Sequence, residues 1–386
     1  MDSLDAFARA KLATLEQNSL RRSLAATTRL EGPWVLRDGR RMLSFCCNDY
    51  LNLSLHPAVV AAAIDATRQY GVGAGGSRLV TGNHPLYAML EERLARLKGT
   101  EDACVFGSGF LANAGIIPAL VGRDDLLLVD ELAHACIWTG VRLTGGTVRP
   151  FRHNDVAHAA QLLAEARGAH AHALILTDSV FSMDGDLAPL HDLAALAEHH
   201  NAWLMTDDAH GIGVLGGGRG AVHAGEAPAR VPLQMGTLSK AIGAYGGYLC
   251  ASRPVIDLIR TRARTFIYST GLPPGTVAAA IAALDLIVAQ PAYAALPVRK
   301  ARLFTTLAGL PEAASPIVPV VLGAAAAALE ASRLLAEAGF LVSAIRPPTV
   351  PAGTSRLRFT FTAQHSDEAI IRLATLVRER ILGRPA

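Results

Sequence analysis

Charge runs, clustered cysteines and long apolar stretches are all missing from this chain of 386 residues. Charged side chains make up 18% of it and the arginines are scattered, so nothing forms the basic stripe of a nucleic-acid-binding surface. A net charge of +3 remains compatible with small anionic substrates. The five cysteines, Cys46, Cys47, Cys104, Cys136 and Cys250, form no CxxC pair and no metal-ligand spacing, which suits free thiols in a reducing compartment. The opening stretch MDSLDAFARAKLATLEQ carries Asp2 and Asp5 and no apolar core, so neither a secretory signal nor an acid-poor transit peptide is read there. A cytoplasmic location is expected. The longest uncharged apolar stretches, such as IVPVVLGAAAAAL, are too short for a membrane span and contain Pro319.

Several catalytic signatures are absent as well. There is no HExxH and no GxSxG, and no metal site is expected. GVGAGG at 71–76 fits GxGxxG, but the preceding AVVAAAIDATRQY has a helical pattern, whereas a dinucleotide fingerprint needs strand, turn, helix. LGGGRGA at 215–221 lacks the GK[ST] ending of a phosphate loop and reads as a mobile surface turn.

What is present is an alternation. From Glu101 to Ser252 the short apolar runs DACVFG, DLLLVD, GTVRPF, HALILTD, AWLMTD, VPLQMG and GGYLCAS read as strands. Between them, GFLANAGIIPALV, LAHACIWTGVRLTGG, NDVAHAAQLLAEARG and LAPLHDLAALAEHHN read as helices. The pattern predicts an α/β fold with a mainly parallel sheet and helices on both faces, its chemistry at the carboxyl ends of the strands. QPAYAALP reads as a hinge, so three parts are predicted: a helical arm over 1–45, a large α/β domain over 46–291 and a smaller α/β domain over 292–386.

Lys240 is the only charged residue in VPLQMGTLSKAIGAYGGYLCAS. It is either a loop lysine that snorkels to water or an amine whose burial frees it to act as nucleophile or base. Upstream, VFGSGFLANAG runs an apolar strand through Gly107-Ser108-Gly109 into a helix, where free backbone amides favour a phosphate. In WLMTDDAHGIG a strand ends in Asp207 and Asp208, with His210 close behind. An acid there can hold a protonated ring nitrogen or merely cap a helix. Taken together, a phosphate cradle, an acid and an isolated amine describe one ligand, pyridoxal 5'-phosphate.

The ordered motifs SGFLAN, ELAHAC, VFSMDGD, TDDAHGIG and GTLSKAIG resemble the α-oxoamine synthases, aminotransferase-like (fold type I) pyridoxal-phosphate enzymes that condense an amino acid with an acyl thioester. The resemblance covers almost the whole chain. It implies that Lys240 joins the cofactor aldehyde, Asp207 holds the ring nitrogen and His134 stacks on the ring, with a helix cap as the alternative for His134. It further implies that His210 and Ser182 meet the phenolic oxygen or the substrate carboxylate, and that Gly109, Phe110 and Thr237 meet the phosphate and ring. Ser269 or Thr270 would reach a partner subunit's phosphate, which implies a homodimer. Asn48 and Arg358 become candidates for the amino-acid carboxylate, and Arg21 and Thr349 match positions that contact substrate. The stretches FCCNDYLNLS, GGSRLVTGNHPLY and AIRPPTVPAGTSRLRFT point within the family to L-alanine and a pimeloyl thioester, with glycine and acetyl-CoA as the rival pair. An aminotransferase is the more remote alternative. One departure stands out: Asn52 occupies a position where the family pattern NDYLGLS has glycine, which puts the local turn geometry, not the chemistry, in question.

Overall fold

The computed structural model describes residues 2–383, which fall into two compact units, 48–299 and 2–47 with 300–383. In chain order the strands are β1 (Thr27–Arg29), β2 (Trp34–Arg37), β3 (Arg40–Ser44), β4 (Asp102–Phe106), β5 (Leu126–Asp130), β6 (Thr147–Phe151) and β7 (Ala173–Asp178). They continue as β8 (Trp203–Asp207), β9 (Leu233–Thr237), β10 (Gly247–Ala251), β11 (Ile317–Gly323), β12 (Phe340–Leu341), β13 (Ser343–Ile345) and β14 (Ser355–Thr360).

The unit Asn48–Arg299 is built on the sheet β4-β10-β9-β8-β7-β5-β6. Only β10 runs antiparallel to its neighbours, β4 and β9. Successive strand residues point to opposite faces, so unbroken apolar runs such as Leu126-Leu127-Leu128-Val129 require cover on both. Leu127, Val129, Leu174 and Leu176 pack on one face with Ile116, Ile117, Ile256 and Ile259. Leu126, Leu128, Ile175 and Leu204 pack on the other with Leu163 and Leu193. All seven predicted strands lie in this sheet. The resulting crossovers bring the carboxyl ends of β5, β7 and β8 to one edge, each ending in an aspartate: Asp130, Asp178 and Asp207.

The other unit holds two smaller sheets, β1-β2-β3-β12 and β11-β14-β13. Its core gathers Phe45, Phe304, Phe359 and Phe361. His365 lies flat on Phe45, their ring centroids 3.9 Å apart.

The helical arm expected over 1–45 ends at Gln17, and β1 to β3 follow it. Asp38 and Gly39 both have positive φ, 51° and 74°, and join β2 to β3 by a two-residue turn. Such an Asp-Gly turn is a strong hairpin signal, and the arginines crowding both strands masked it. The hinge read in QPAYAALP is instead helical, with Pro291 opening Pro291–Ala294 and Pro297 in the first turn of Leu296–Ala308. Proline is tolerated there because the first amides of a helix have no partner to lose. The division between units accordingly falls at 299/300 rather than 291/292. Among the described residues, no single helix is long and apolar enough to cross a membrane.

Asn52 sits in the left-handed region at φ 54°, ψ 29° and is 5% exposed. Asparagine is the non-glycine residue that best tolerates this conformation, so the departure from glycine keeps the turn. Asn52→Gly should leave thermal stability nearly unchanged, whereas Asn52→Val should cost about 1–2 kcal/mol. Equal unfolding free energies for the two variants would show that the turn is not held left-handed.

Candidate active site

Strand β8 ends at the centre of the site. Asp207 Oδ2 accepts a hydrogen bond from Asn113 Nδ2 at 2.8 Å, and its Oδ1 accepts from the Ala209 amide at 3.0 Å. Asp208 points elsewhere. Its carboxylate meets Lys98 Nζ at 2.6 Å, the Ser179 hydroxyl at 2.6 Å and the Ala221 amide at 3.1 Å, and both ionic side chains are fully buried. Lys98 also donates to the Arg219 carbonyl at 2.8 Å. Asp208 directly follows the last residue of β8, so tying it down fixes the strand end from which Asp207 lines the cavity.

The same pair explains the last glycine of LGGGRGA, a stretch expected from sequence to be a mobile surface turn. Gly220, at φ +101°, closes over the ion pair so tightly that a Cβ would lie 1.8 Å from Asp208 Oδ2. Close backbone approach, not mobility, is the reason for glycine there.

A cavity of about 180 Å³ opens beside Asp207, lined by Gly109, Phe110, His134, Cys136, Asp178, Val180, Asp207, Ala209, His210, Met235, Thr237 and Lys240. Lys240 Nζ lies 2.7 Å from His210 Nε2, and His210 Nδ1 lies 2.7 Å from the Tyr50 hydroxyl. Gly109 and Phe110 open the helix Gly109–Leu120, where the Ser108 hydroxyl accepts the Leu111 amide. Thr237 donates to the Gly246 carbonyl at 2.7 Å and accepts the Ser239 amide, holding the turn before Lys240.

His134 is the cap of the helix Ala135–Arg142, its Nδ1 accepting the Cys136 amide at 3.3 Å, and it also lines the cavity. The cap and the wall of the site are one residue. Burial lowers its pKa, with Lys240 adding to the effect and Asp207 opposing it, so the ring is neutral near pH 7. Burial, then the charge of Asp207, raises the Asp178 carboxyl well above the usual carboxylate range. Burial likewise pushes the Cys136 thiol up to about 12.

Of the residues expected at the cofactor, Gly109, Phe110, His134, Asp207, His210, Thr237 and Lys240 surround this one cavity, and Ser182 is not among its lining. Asn48 is likewise outside the lining, with its Oδ1 3.4 Å from the Tyr50 hydroxyl. Ser269 and Thr270 line a separate small recess with Arg78 and Tyr87. Arg21, Thr349 and Arg358 belong to the other unit. There Arg21 pairs with Glu16 at 2.8 Å, and it is Arg22 that donates to Thr349, at 2.9 Å; Arg358 is buried in β14.

Sequence reading missed Tyr50, Asn113, Cys136 and Asp178. Only Asp178 carried a usable signal, because HALILTD ends in an acid just as AWLMTD does. The third such acid, Asp130, has a different task. His153 bridges Asp130 Oδ1 at 3.1 Å and Asp186 Oδ2 at 2.8 Å, tying down the loop after β7 that carries Ser182. Burial alone would lower the His153 pKa, but the two carboxylates raise it to about 10. The clamp therefore stabilises the fold fully below pH ~6.5 and loses that contribution as pH rises through about 10. The stability difference between wild type and His153→Gln should shrink across that window in urea titrations; a pH-independent difference would contradict a charged clamp.

An amine, an acid held at the cavity floor, an imidazole on the wall and a helix amino terminus fit pyridoxal 5'-phosphate group by group. Among the described residues, no cluster of three or more His, Cys, Asp or Glu could hold a metal ion.

The model of class I and II aminotransferases matches residues 40–377. An 8-amino-7-oxononanoate synthase of Granulibacter bethesdensis is 64% identical over 98% of both chains. Among solved structures, the serine palmitoyltransferase of S. paucimobilis superposes with a TM-score of 0.91 at 27% identity, covering 99% of this chain and 98% of that one. The 8-amino-7-oxononanoate synthase of Francisella tularensis superposes with a TM-score of 0.76 at 26% identity, covering 89% and 98%. Fold, cavity and kinship agree: the chain belongs to the class I and II aminotransferase family and, within it, to the 8-amino-7-oxononanoate synthases.

Proposed function

We propose that the protein condenses L-alanine with a pimeloyl thioester, with loss of carbon dioxide and the thiol, to make 8-amino-7-oxononanoate for biotin. The observation that carries this reading is the convergence of Lys240, His210, Asp207 and His134 on one cavity in a chain so close to synthases of that name. Pyridoxal 5'-phosphate, when bound, supplies an aldehyde for an amine and a ring that withdraws electrons. Lys240 would hold the aldehyde, Asp207 the ring nitrogen, His134 the ring face, Gly109, Phe110 and Thr237 the phosphate, and His210 with Ser182 the phenolic oxygen.

The chain's own groups then divide the work. Asp207 is held at the cavity floor by hydrogen bonds from Asn113 and the Ala209 amide. Asp178, driven toward its neutral form, adds no second negative charge beside it. Neutral His134 offers a flat face without competing with Asp207 for a cation. Lys240 Nζ is the base for the α-proton of alanine, a role that contributes ~10²–10⁴-fold. A carbon–carbon bond forms between the α-carbon of alanine and the thioester carbonyl, the thiol departs, the alanine carboxylate leaves as carbon dioxide, and the α-carbon takes up a proton in its place. Asn48 and Arg358 are assigned to that carboxylate before it leaves, Arg358 because its fork suits two oxygens. Arg21 and Thr349 are assigned to the acyl donor.

Free thiol release with L-alanine and pimeloyl-CoA tests the reading. Thiol should appear only when both substrates are present. Alanine consumption without thiol release points to an aminotransferase, and faster release with glycine and acetyl-CoA points to the rival acyltransferase.

The protein is assigned as a cytoplasmic homodimer. All five cysteines are free thiols, as a reducing compartment requires. Val72, Leu79 and Val80 are 57–83% exposed, beside Tyr268 at 73%, and a Ser77–Thr270 bridge joins their two loops. That much apolar surface suits a second copy. Light scattering should give twice the chain mass, and fractionation should place the protein with cytoplasmic markers; a monomer, or an extracytoplasmic fraction, would reject the respective half.

A further inference from the structure

Tyr50 is fully buried, yet its hydroxyl is spent on the site rather than on the core. It lies 2.7 Å from His210 Nδ1 and 3.4 Å from Asn48 Oδ1. A hydroxyl has one proton to give, and the shorter contact is the better bond. Given to Nδ1, it fixes the neutral ring with its own proton on Nε2, which is 2.7 Å from Lys240 Nζ. An N–H aimed at Nζ needs a lone pair there, so it favours the free amine over the ammonium. We infer that Tyr50 is a positioning residue that sets the tautomer of His210 and thereby holds Lys240 as a neutral, nucleophilic amine.

Other groups also act on Lys240. Asp207 favours its charge, Asp178 is driven toward its neutral form, and buried His134 and Cys136 stand beside them around the cavity. Both acids end parallel strands whose pairing does not involve Tyr50, so the effect of the hydroxyl is separable from theirs. In Tyr50→Phe the ring loses the donor that selects Nε2–H. The alternative tautomer, with Nε2 as acceptor, gains, and it suits an ammonium.

The inference rests on Lys240 being the reactive amine of the proposed site, but its test does not depend on the cofactor. Apoprotein would be pulsed with acetic anhydride across a range of pH, and acetylation of the Lys240 peptide quantified by mass spectrometry. Tyr50→Phe should move the Lys240 midpoint upward, leaving roughly tenfold less reactive amine at a fixed pH below both midpoints. Coincident profiles for wild type and variant overturn the inference. Nitrogen-15 NMR of wild-type histidines, with His210 assigned through His210→Gln, checks the same point without relying on the folding of Tyr50→Phe. Nε2–H is expected, and a proton on Nδ1 overturns the inference. Borohydride reduction of the wild-type holoenzyme tests the underlying reading separately: label on a different lysine defeats the assigned site, whatever the acetylation profiles show.

Discussion

Lys240→Ala should lose the visible absorbance of bound cofactor and lower turnover by ~10²–10⁴-fold or more, while leaving the fold intact. Lys240 is the one lysine lining the cavity, and its Nζ lies 2.7 Å from His210 Nε2. No other lysine lines the cavity, so no neighbour can take over. The phosphate contacts at Gly109, Phe110 and Thr237 remain in the variant, so weak, dialysable cofactor binding is compatible with the account. A borohydride-stable adduct on the variant chain, or turnover within tenfold of wild type, would move the anchor to another residue.

Breaking the Lys98–Asp208 pair should be the most damaging single change to stability. Both side chains are fully buried, and every oxygen of Asp208 is engaged, by Lys98, Ser179 and the Ala221 amide. Lys98→Met leaves the fully buried carboxylate without its cation, a change that costs about 3–5 kcal/mol. That is a large fraction of an ordinary folding free energy of about 5–15 kcal/mol. Removing both charges, as in Lys98→Met with Asp208→Leu, should recover part of the loss, because the desolvation cost disappears with the pair. Activity should fall as well, since the ion pair fixes the β8 terminus from which Asp207 projects. Urea unfolding of the three proteins decides the matter. A loss below about 1 kcal/mol in Lys98→Met would mean that Asp208 finds solvent or another cation.

The sheet was legible because its strands are covered on both faces, so each is an apolar run that needs no partner in sequence to be seen. The amino-terminal strands were not, because β1 to β3 are short and rich in arginine, and their hairpin turn at Asp38-Gly39 was the only clear sign. Lys240 and Asp207 could be singled out from their neighbours: one is a lone charge among small residues, the other an acid closing a strand. Lys98 could not, because nothing in EERLARLKGT distinguishes a buried lysine at a helix end from exposed Glu92 and Arg96 before it. Tyr50 and Asn113 are polar groups of ordinary spacing whose importance comes from contacts across 160 and 94 residues. Those pairings are made by topology, and local pattern does not carry them.

The central claim is that a carbon–carbon bond forms at alanine as its carboxylate departs. Pimeloyl-CoA would be incubated with holoenzyme and either L-[1-13C]alanine or L-[2-13C]alanine, and the product analysed by mass spectrometry. The predicted result is 8-amino-7-oxononanoate that is unlabelled from the first alanine and one mass unit heavier from the second, with the missing label recovered as carbon dioxide. Pyruvate that keeps the carboxyl label, with no oxononanoate formed, would contradict the account.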